Sequence, residues 1–315
     1  MSNIRLGIIG AGYIAQEHLK VIQAMTGVCA VGITSRTKSK AEELVRKYDV
    51  EEVFENVDDL IEKCNLDALM ILVSASYIYE VTKKLIPTNI PLFIEKPPGF
   101  VPEETKILVE LAEKHETKTM IGYNRRYYSI FHKGIELINK NGGLLGLAVE
   151  GHERFWNIVG RDIPSSIREN WIYANSTHTI DLLRFFGGEI KSISSLSNSL
   201  KETNGDQFVA SMEFESGTLG TYTSHWYSPG GWSATLYGEG ITVKFNPLEK
   251  GIWIGTDLNE HEINPDEVDV KYKPGFYRQM EAFANMVGSG SLNLPGLNLE
   301  KALRTMELAK KLENT

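Results

Sequence analysis

Cysteine is scarce: Cys29 and Cys64 are the two in 315 residues, and both fall inside apolar patterns. No Cys-x-x-Cys occurs, which excludes a disulfide framework and reads as small core residues of a reducing compartment. Long apolar runs are missing as well. None approaches the roughly 20 residues that a bilayer-spanning helix needs, and with a strand expected from Ile4 no leader peptide is expected. Positive charge is in deficit. Lys and Arg number 33 against 41 Asp and Glu, a formal net charge of −8, so no basic excess exists to neutralise nucleic-acid or membrane phosphates. The expectation is a soluble cytoplasmic protein with neither nucleic acid nor membrane as partner. Internal repeats are absent, and the serine-rich "SISSLSNS" alternates with apolar residues as a strand does.

What is present is the composition of an enzyme, 42% hydrophobic and 23% charged, at a length that suits two domains. From Ile4 to Asn124, short apolar runs alternate with helical patterns. "IRLGII", "VCAVGIT", "ALMILV", "PLFIEK" and "KTMIGYN" read as strands buried on both faces. Between them lie helical spacings, such as Ile14, Leu19, Val21 and Ile22, and "PEETKILVELAEKH" with Pro102 and two acids in its first turn. This predicts a doubly wound parallel sheet. Near Tyr123 the pattern changes. "GLAVEGHERFW", "IKSISSLSNSL", "QFVASMEFES", "TLGTYTSHWY", "SATLYGEG" and "ITVKFNP" are strand-like, with a helix inserted at "THTIDLLRFFG" and two helical stretches at the end. The expected fold class is α/β: a Rossmann domain over 1–122, then an α/β domain with a large, mostly antiparallel open sheet over 123–290. A C-terminal helix within 291–315 is expected to pack back on the first domain.

Two stretches carry chemistry. Gly10-Ala11-Gly12-Tyr13-Ile14-Ala15 is G-x-G-x-x-A, directly after a strand and opening a helix. Gly10 permits a tight turn, Gly12 lets backbone approach a pyrophosphate, and Ala15 lets helix and strand pack closely. Backbone N–H groups at the helix start then face the phosphates, which makes Gly10, Ala11, Gly12, Tyr13 and Ile14 cofactor-binding. A plain tight turn is the alternative, but the strand–turn–helix context is the one a dinucleotide requires. An NAD site usually has an acid at the end of the second strand. Here that strand runs into "GITSRTKSK", and no acid occurs before Glu42. Ser35 and Arg36 suit a 2′-phosphate instead, so NADP is expected, with NAD the alternative. The second stretch is "PLFIEKPPG", which places Glu95 and Lys96 at the ligand-binding edge of an open parallel sheet. An ordinary surface pair would look the same.

With the glycine turn, "EKP", "HTID" at 178–181, "GYNRRY" at 122–127 and the terminal "YRQMEAF", the chain resembles the glucose–fructose oxidoreductase / inositol dehydrogenase / rhizopine catabolism (Gfo/Idh/MocA) family along essentially its whole length. The resemblance implies NAD(P)-dependent transfer of hydride to or from a ring hydroxyl or keto carbon of a sugar, cyclitol or nucleotide sugar. It implies Lys96 as the catalytic acid–base group, His178 as its partner in the same cleft, and a cofactor set that includes Ser74, Glu95, Lys96 and Asn124. Asp181 would hold the helix or ring of His178. Many members carry Asp four residues before that His. Here the position is Ala174, and Tyr173 or Asn175 would have to supply the missing hydrogen bond. Arg126, Arg154, Trp156, Asn175 and Tyr277 are the candidates for lining the substrate cleft, and the arginine forks hint at an acidic or nucleotide-linked sugar. His178 and Asp181, spaced i, i+3, could also be read as metal ligands, but no further His, Asp or Glu set has convincing metal spacing, and no metal is expected.

Two other readings compete with a dehydrogenase: a glycosidase acting through transient oxidation with bound NAD(P), and a non-catalytic NADP-binding regulator. Along "QFVASMEFES", Phe208, Ala210, Met212 and Phe214 alternate with a mixed set, giving one apolar face for the core and one for a partner. A homodimer or homotetramer is expected.

Overall fold

The computed structural model describes residues 3–313, which divide into two compact units. The first holds the residues up to Asn124 together with Lys271–Leu303. Its parallel sheet comprises β1 (Ile4–Ile9), β2 (Val28–Thr34), β3 (Val53–Phe54), β4 (Ala68–Ile71), β5 (Leu92–Ile94) and β6 (Thr119–Ile121), in the order β3-β2-β1-β4-β5-β6. Helices α1 (Tyr13–Ala24), α2 (Lys38–Tyr48), α3 (Val57–Lys63), α4 (Ala75–Leu85) and α5 (Pro102–Lys114) link the strands. The strand order reverses between β1 and β4, the topological switch point where open α/β sheets bind ligands. The strands are as apolar as burial on both faces demands: all of Ala68–Ile71 and Leu92–Ile94 are buried.

The second unit holds Arg125–Val270 and the residues from Arg304 onward. Helix α6 (Ser129–Lys140) precedes an eight-stranded sheet of β7 (Gly146–Gly151), β8 (Ile190–Asn198), β9 (Gln207–Phe214), β10 (Leu219–His225), β11 (Trp232–Gly238), β12 (Ile241–Phe245), β13 (Gly251–Ile254) and β14 (Glu260–Ile263). Between β7 and β8 lie α7 (Trp156–Val159), α8 (Ser165–Glu169), one π-helical turn at Ile172–Ser176 and α9 (Thr177–Gly187); α10 (Glu267–Lys271) follows β14. All sheet pairs are antiparallel except β7 with β10. That exception brings the C-terminal ends of β7 and β10 to the same edge. Phe208, Ala210, Met212 and Phe214 of β9 point into the core with Ile180, Leu182 and Leu183 of α9.

The last two helices are α11 (Phe276–Ser289) and α12 (Leu299–Glu313). Leu299 and Ala302 belong to the core of the first unit, whereas Met306, Ala309 and Leu312 belong to that of the second.

Three stretches depart from the strand and helix patterns read in the sequence. "GLAVEGHERFW" is strand only to Gly151. Arg154 then takes a left-handed φ of 53°, and Phe155 turns inward to lie 1% exposed against Trp171 and Trp226. Burial of a large aromatic ring overrides continuation of the strand. The β3–α3 unit lies in a stretch that shows no strand period, because β3 has two residues; an Asn56 side chain accepting from the Asp59 N–H at 2.8 Å starts α3. At one end of the eight-stranded sheet, β13 and the edge strand β14 have four residues each, too few for a period to emerge. Among the described residues, no helix is long and apolar enough to cross a membrane.

Candidate active site

In the first unit the polar candidates gather where the parallel strands end. Gly10 follows β1 with φ 114°, and a Cβ there would sit 2.5 Å from the carbonyl oxygen of Leu72, just past β4. Only glycine permits this approach. Gly12 is the N-cap of α1, with no side-chain cap, and nothing lies within 4 Å of the position its Cβ would take. Open space over a helix N-terminus free of side-chain capping is the cradle a diphosphate needs. The turn therefore fits a dinucleotide, with Ala11 buried beneath it and Tyr13 exposed beside it. Past β2, the Oγ of Ser35 accepts from the Thr37 N–H at 3.3 Å. Arg36 is exposed, its Cζ 4.7 Å from the centre of the Tyr77 ring and its Nη1 donating to the Tyr77 hydroxyl at 2.6 Å. Among the described residues Arg36 has no carboxylate partner. Ser74 is the N-cap of α4 and makes no side-chain capping bond.

Glu95 and Lys96 follow β5. Glu95 is buried, and its Oε1 lies 3.1 Å from Nε2 of His18. Its Oε2 accepts from the Lys96 backbone N–H at 3.2 Å, and the Lys96–Pro97 peptide is cis. The His18 ring is fully buried between Phe93, 5.0 Å away edge-on, and Phe276, 4.7 Å away. Glu95 is thus an anchor: it ties the backbone of Lys96 to α1. Sequence reading missed His18, although it sits four residues after Ile14 and four before Ile22 on the apolar stripe of α1. Asn124 is buried, and its Nδ2 donates to the Pro274 carbonyl at 3.0 Å. Tyr277 is half-buried and stacked on Tyr272 at 5.6 Å.

In the second unit the candidates lie around the start of α9. His178 occupies its first turn, 7% exposed, with its ring 5.9 Å from Trp232. The turn before it is held from the loop after β7: Glu153 is buried and accepts from Asn175 Nδ2 and Ser176 Oγ, each at 2.6 Å. Asn175 therefore spends its amide on a carboxylate that arrives from another element, close to the acid-free position Ala174. Nothing in the local sequence signals Glu153, because its partners lie 22 and 23 residues away. The Tyr173 hydroxyl donates to Glu313 at 2.7 Å.

The arginines divide by partner. Arg126 is buried, and its Nε and Nη2 donate to the two carboxylate oxygens of Asp181 at 2.6 and 3.0 Å. That fork closes on a side chain of its own unit rather than opening toward a substrate. Asp181 also accepts from Thr305 at 2.9 Å, so it fastens α9 to α12 rather than to the ring of His178. Arg154 is exposed and donates to the Gly230 carbonyl at 2.7 Å, and Trp156 is 41% exposed at the start of α7. The guanidinium beside Trp232 belongs instead to Arg125, 4.4 Å over the indole. The described residues contain no cluster of three or more His, Cys, Asp or Glu able to hold a metal.

Residues 4–123 match the family described as "Oxidoreductase family, NAD-binding Rossmann fold", and residues 161–244 match the Gfo/Idh/MocA C-terminal domain. The chain belongs to the Gfo/Idh/MocA oxidoreductase family. Among the family's curated proteins, scyllo-inositol 2-dehydrogenase (NAD(+)) of Bacillus subtilis is 24% identical over 308 residues, covering 91% of this chain and 87% of that one. An oxidoreductase structure from Thermotoga maritima superposes with a TM-score of 0.82 at 24% identity, over 99% of this chain and 96% of the other. The UDP-N-acetylglucosamine 3-dehydrogenase of Acidithiobacillus ferrooxidans superposes with a TM-score of 0.79 at 18% identity, over 99% and 97%. The glycine turn and "EKP" fall within the N-terminal match, which ends at Tyr123, just before Asn124, and His178 falls within the C-terminal one.

Proposed function

We propose that this protein is an NADP-preferring dehydrogenase or reductase of a ring hydroxyl or keto carbon in a sugar, cyclitol or nucleotide sugar, with Lys96 as the acid–base group. One observation carries the reading: Lys96 follows a buried strand at the carboxyl edge of a dinucleotide-binding sheet, and Glu95 with His18 fixes its backbone. Bound in the cradle at Gly10–Gly12, the nicotinamide cofactor supplies the hydride acceptor or donor. A ring alcohol that gives up hydride must also lose the hydroxyl proton. Lys96 takes that proton in the oxidative direction and returns it in the reverse. His178 assists the same transfer, and Glu153 keeps the turn ahead of His178 in place. The NADP preference rests on Ser35 and on Arg36, a guanidinium with no carboxylate partner where an NAD site would present an acid. The curated relative that acts on scyllo-inositol supports the cyclitol class.

The test is a panel of sugars, cyclitols and nucleotide sugars with NADP⁺ and NAD⁺, followed at nicotinamide absorbance. With a substrate in hand, Lys96→Ala should keep cofactor affinity and lose about 10²–10⁴ in single-turnover rate. His178→Ala should lose less, and the double variant should fall no further than Lys96→Ala, since both serve one step. Near-normal turnover in cofactor-loaded Lys96→Ala would overturn the assignment. Release of sugar without cofactor reduction would point to the glycosidase alternative.

A further inference from the structure

We infer that the carbohydrate substrate carries an anionic oxygen group, a carboxylate or phosphate, and that Arg125 recognises it. The inference deepens the dehydrogenase reading and rests on it.

Arg125 opens the second unit in a single 3₁₀ turn, Asn124–Tyr127. Its side chain is half-buried, its Cζ lies 4.4 Å over Trp232, and its Nε is shielded from solvent with no hydrogen-bond partner. No described carboxylate pairs with it. Three other arginines of the second unit are engaged: Arg126 with Asp181, Arg184 with Glu189 and Thr305, Arg154 with the Gly230 carbonyl. A guanidinium remains charged at any physiological pH. Drawing it partly out of water without an anion is costly, and an aromatic face offsets that cost only in part. The indole covers the cation but accepts none of its N–H groups. Those groups form a planar fork whose natural complement is a carboxylate or phosphate.

Position ties this cation to the chemistry. Trp232 touches Arg125 and also lies 5.9 Å from the ring of His178, so one indole separates the free fork from the proposed proton-transfer group. An anionic substituent paired with Arg125 would fix which ring carbon is presented beside His178. Arg125 is thus a specificity-determining residue.

The experiment uses the full chain loaded with NADP⁺. Binding of D-glucose, D-glucuronate and D-glucose 6-phosphate is measured by calorimetry for the wild type, Arg125→Gln and Arg125→Lys, with circular dichroism confirming that each variant is folded. The wild type should bind at least one charged sugar tenfold or more tighter than glucose. Arg125→Gln should remove that preference, a loss of about 10–100-fold, while glucose and NADP⁺ affinities stay within about twofold. Arg125→Lys, which keeps charge without the fork, should fall between. The carboxylate and phosphate arms separate the two sources of the anion. Absence of any charge preference in the wild type, its survival in Arg125→Gln, or equal loss for neutral and charged sugars would each overturn the inference. Because binding is read without turnover, these outcomes leave the dehydrogenase reading standing. Failure of every sugar to reduce cofactor would sink that reading instead.

Discussion

Arg36 and Glu153 show two kinds of residue-level evidence. The proposal for Arg36 comes from what surrounds it in the sequence: a second strand that ends without an acid. Its exposed guanidinium rests on Tyr77 and is free to meet a phosphate. Arg36→Ala should weaken NADP⁺ binding by about 1.5–3 kcal/mol, toward the lower end for so exposed a group, and leave NAD⁺ binding almost unchanged in a calorimetric titration. Equal losses would remove this residue from 2′-phosphate recognition. Glu153 was not legible, since its meaning arises from long-range contacts. Glu153→Ala deprives Asn175 and Ser176 of their acceptors and should cost about 1–3 kcal/mol in urea unfolding. It should also slow turnover more than it raises KM, because it displaces the turn just ahead of His178. The two arginines of "GYNRRY" illustrate the limit of motif reading. Neighbouring residues in one 3₁₀ turn point in different directions, and only the three-dimensional fold shows that Arg126 is spent on Asp181 while Arg125 is not.

At the scale of elements, strands buried on both faces and helices with a clear apolar stripe were readable, as β1, β2, β4, α1 and α9 show. Elements of two to four residues were not, because a period cannot be seen in so few positions. Nor could the sequence show what clamps α9. Arg126, Asp181 and Thr305 form a buried polar cluster that fastens α9 to the turn before α6 and to α12. Asp181 side-chain exposure is 2% and that of Arg126 is 7%. Removing one partner strands the other charge, so Asp181→Ala should destabilise the second unit by about 3–5 kcal/mol. Arg126→Met combined with Asp181→Leu should recover most of that loss, since an apolar pair of similar volume avoids the buried charge. Urea denaturation followed by tryptophan fluorescence reads both. If Asp181→Ala unfolds like the wild type, the cluster is not what holds α9.

For the whole molecule, the sequence pattern of β9 led to an expectation about assembly. The inward set is buried, while Val209 is 44% exposed; on flanking strands Leu196 and Leu219 are 75% and 64% exposed. A second copy of the chain covering this face would remove that apolar surface from water. A mass of two or four chains by light scattering at micromolar protein is the expected result, and Leu196→Lys with Leu219→Lys should lower it. A single-chain mass for the unmodified protein would end the idea.

The chain changes unit after Asn124, after Val270 and after Leu303, and this has a consequence for anyone who wishes to cut it. No single scissor point yields either half with its full core. A fragment stopping at Leu303 would lack Met306, Ala309 and Leu312, which the second unit buries. It would also lose the Thr305 hydroxyl that bonds Asp181. Such a fragment should lose its second unit's cooperative unfolding transition while the glycine turn still binds nucleotide. Grafting this first unit onto another partner would require three junctions instead of one.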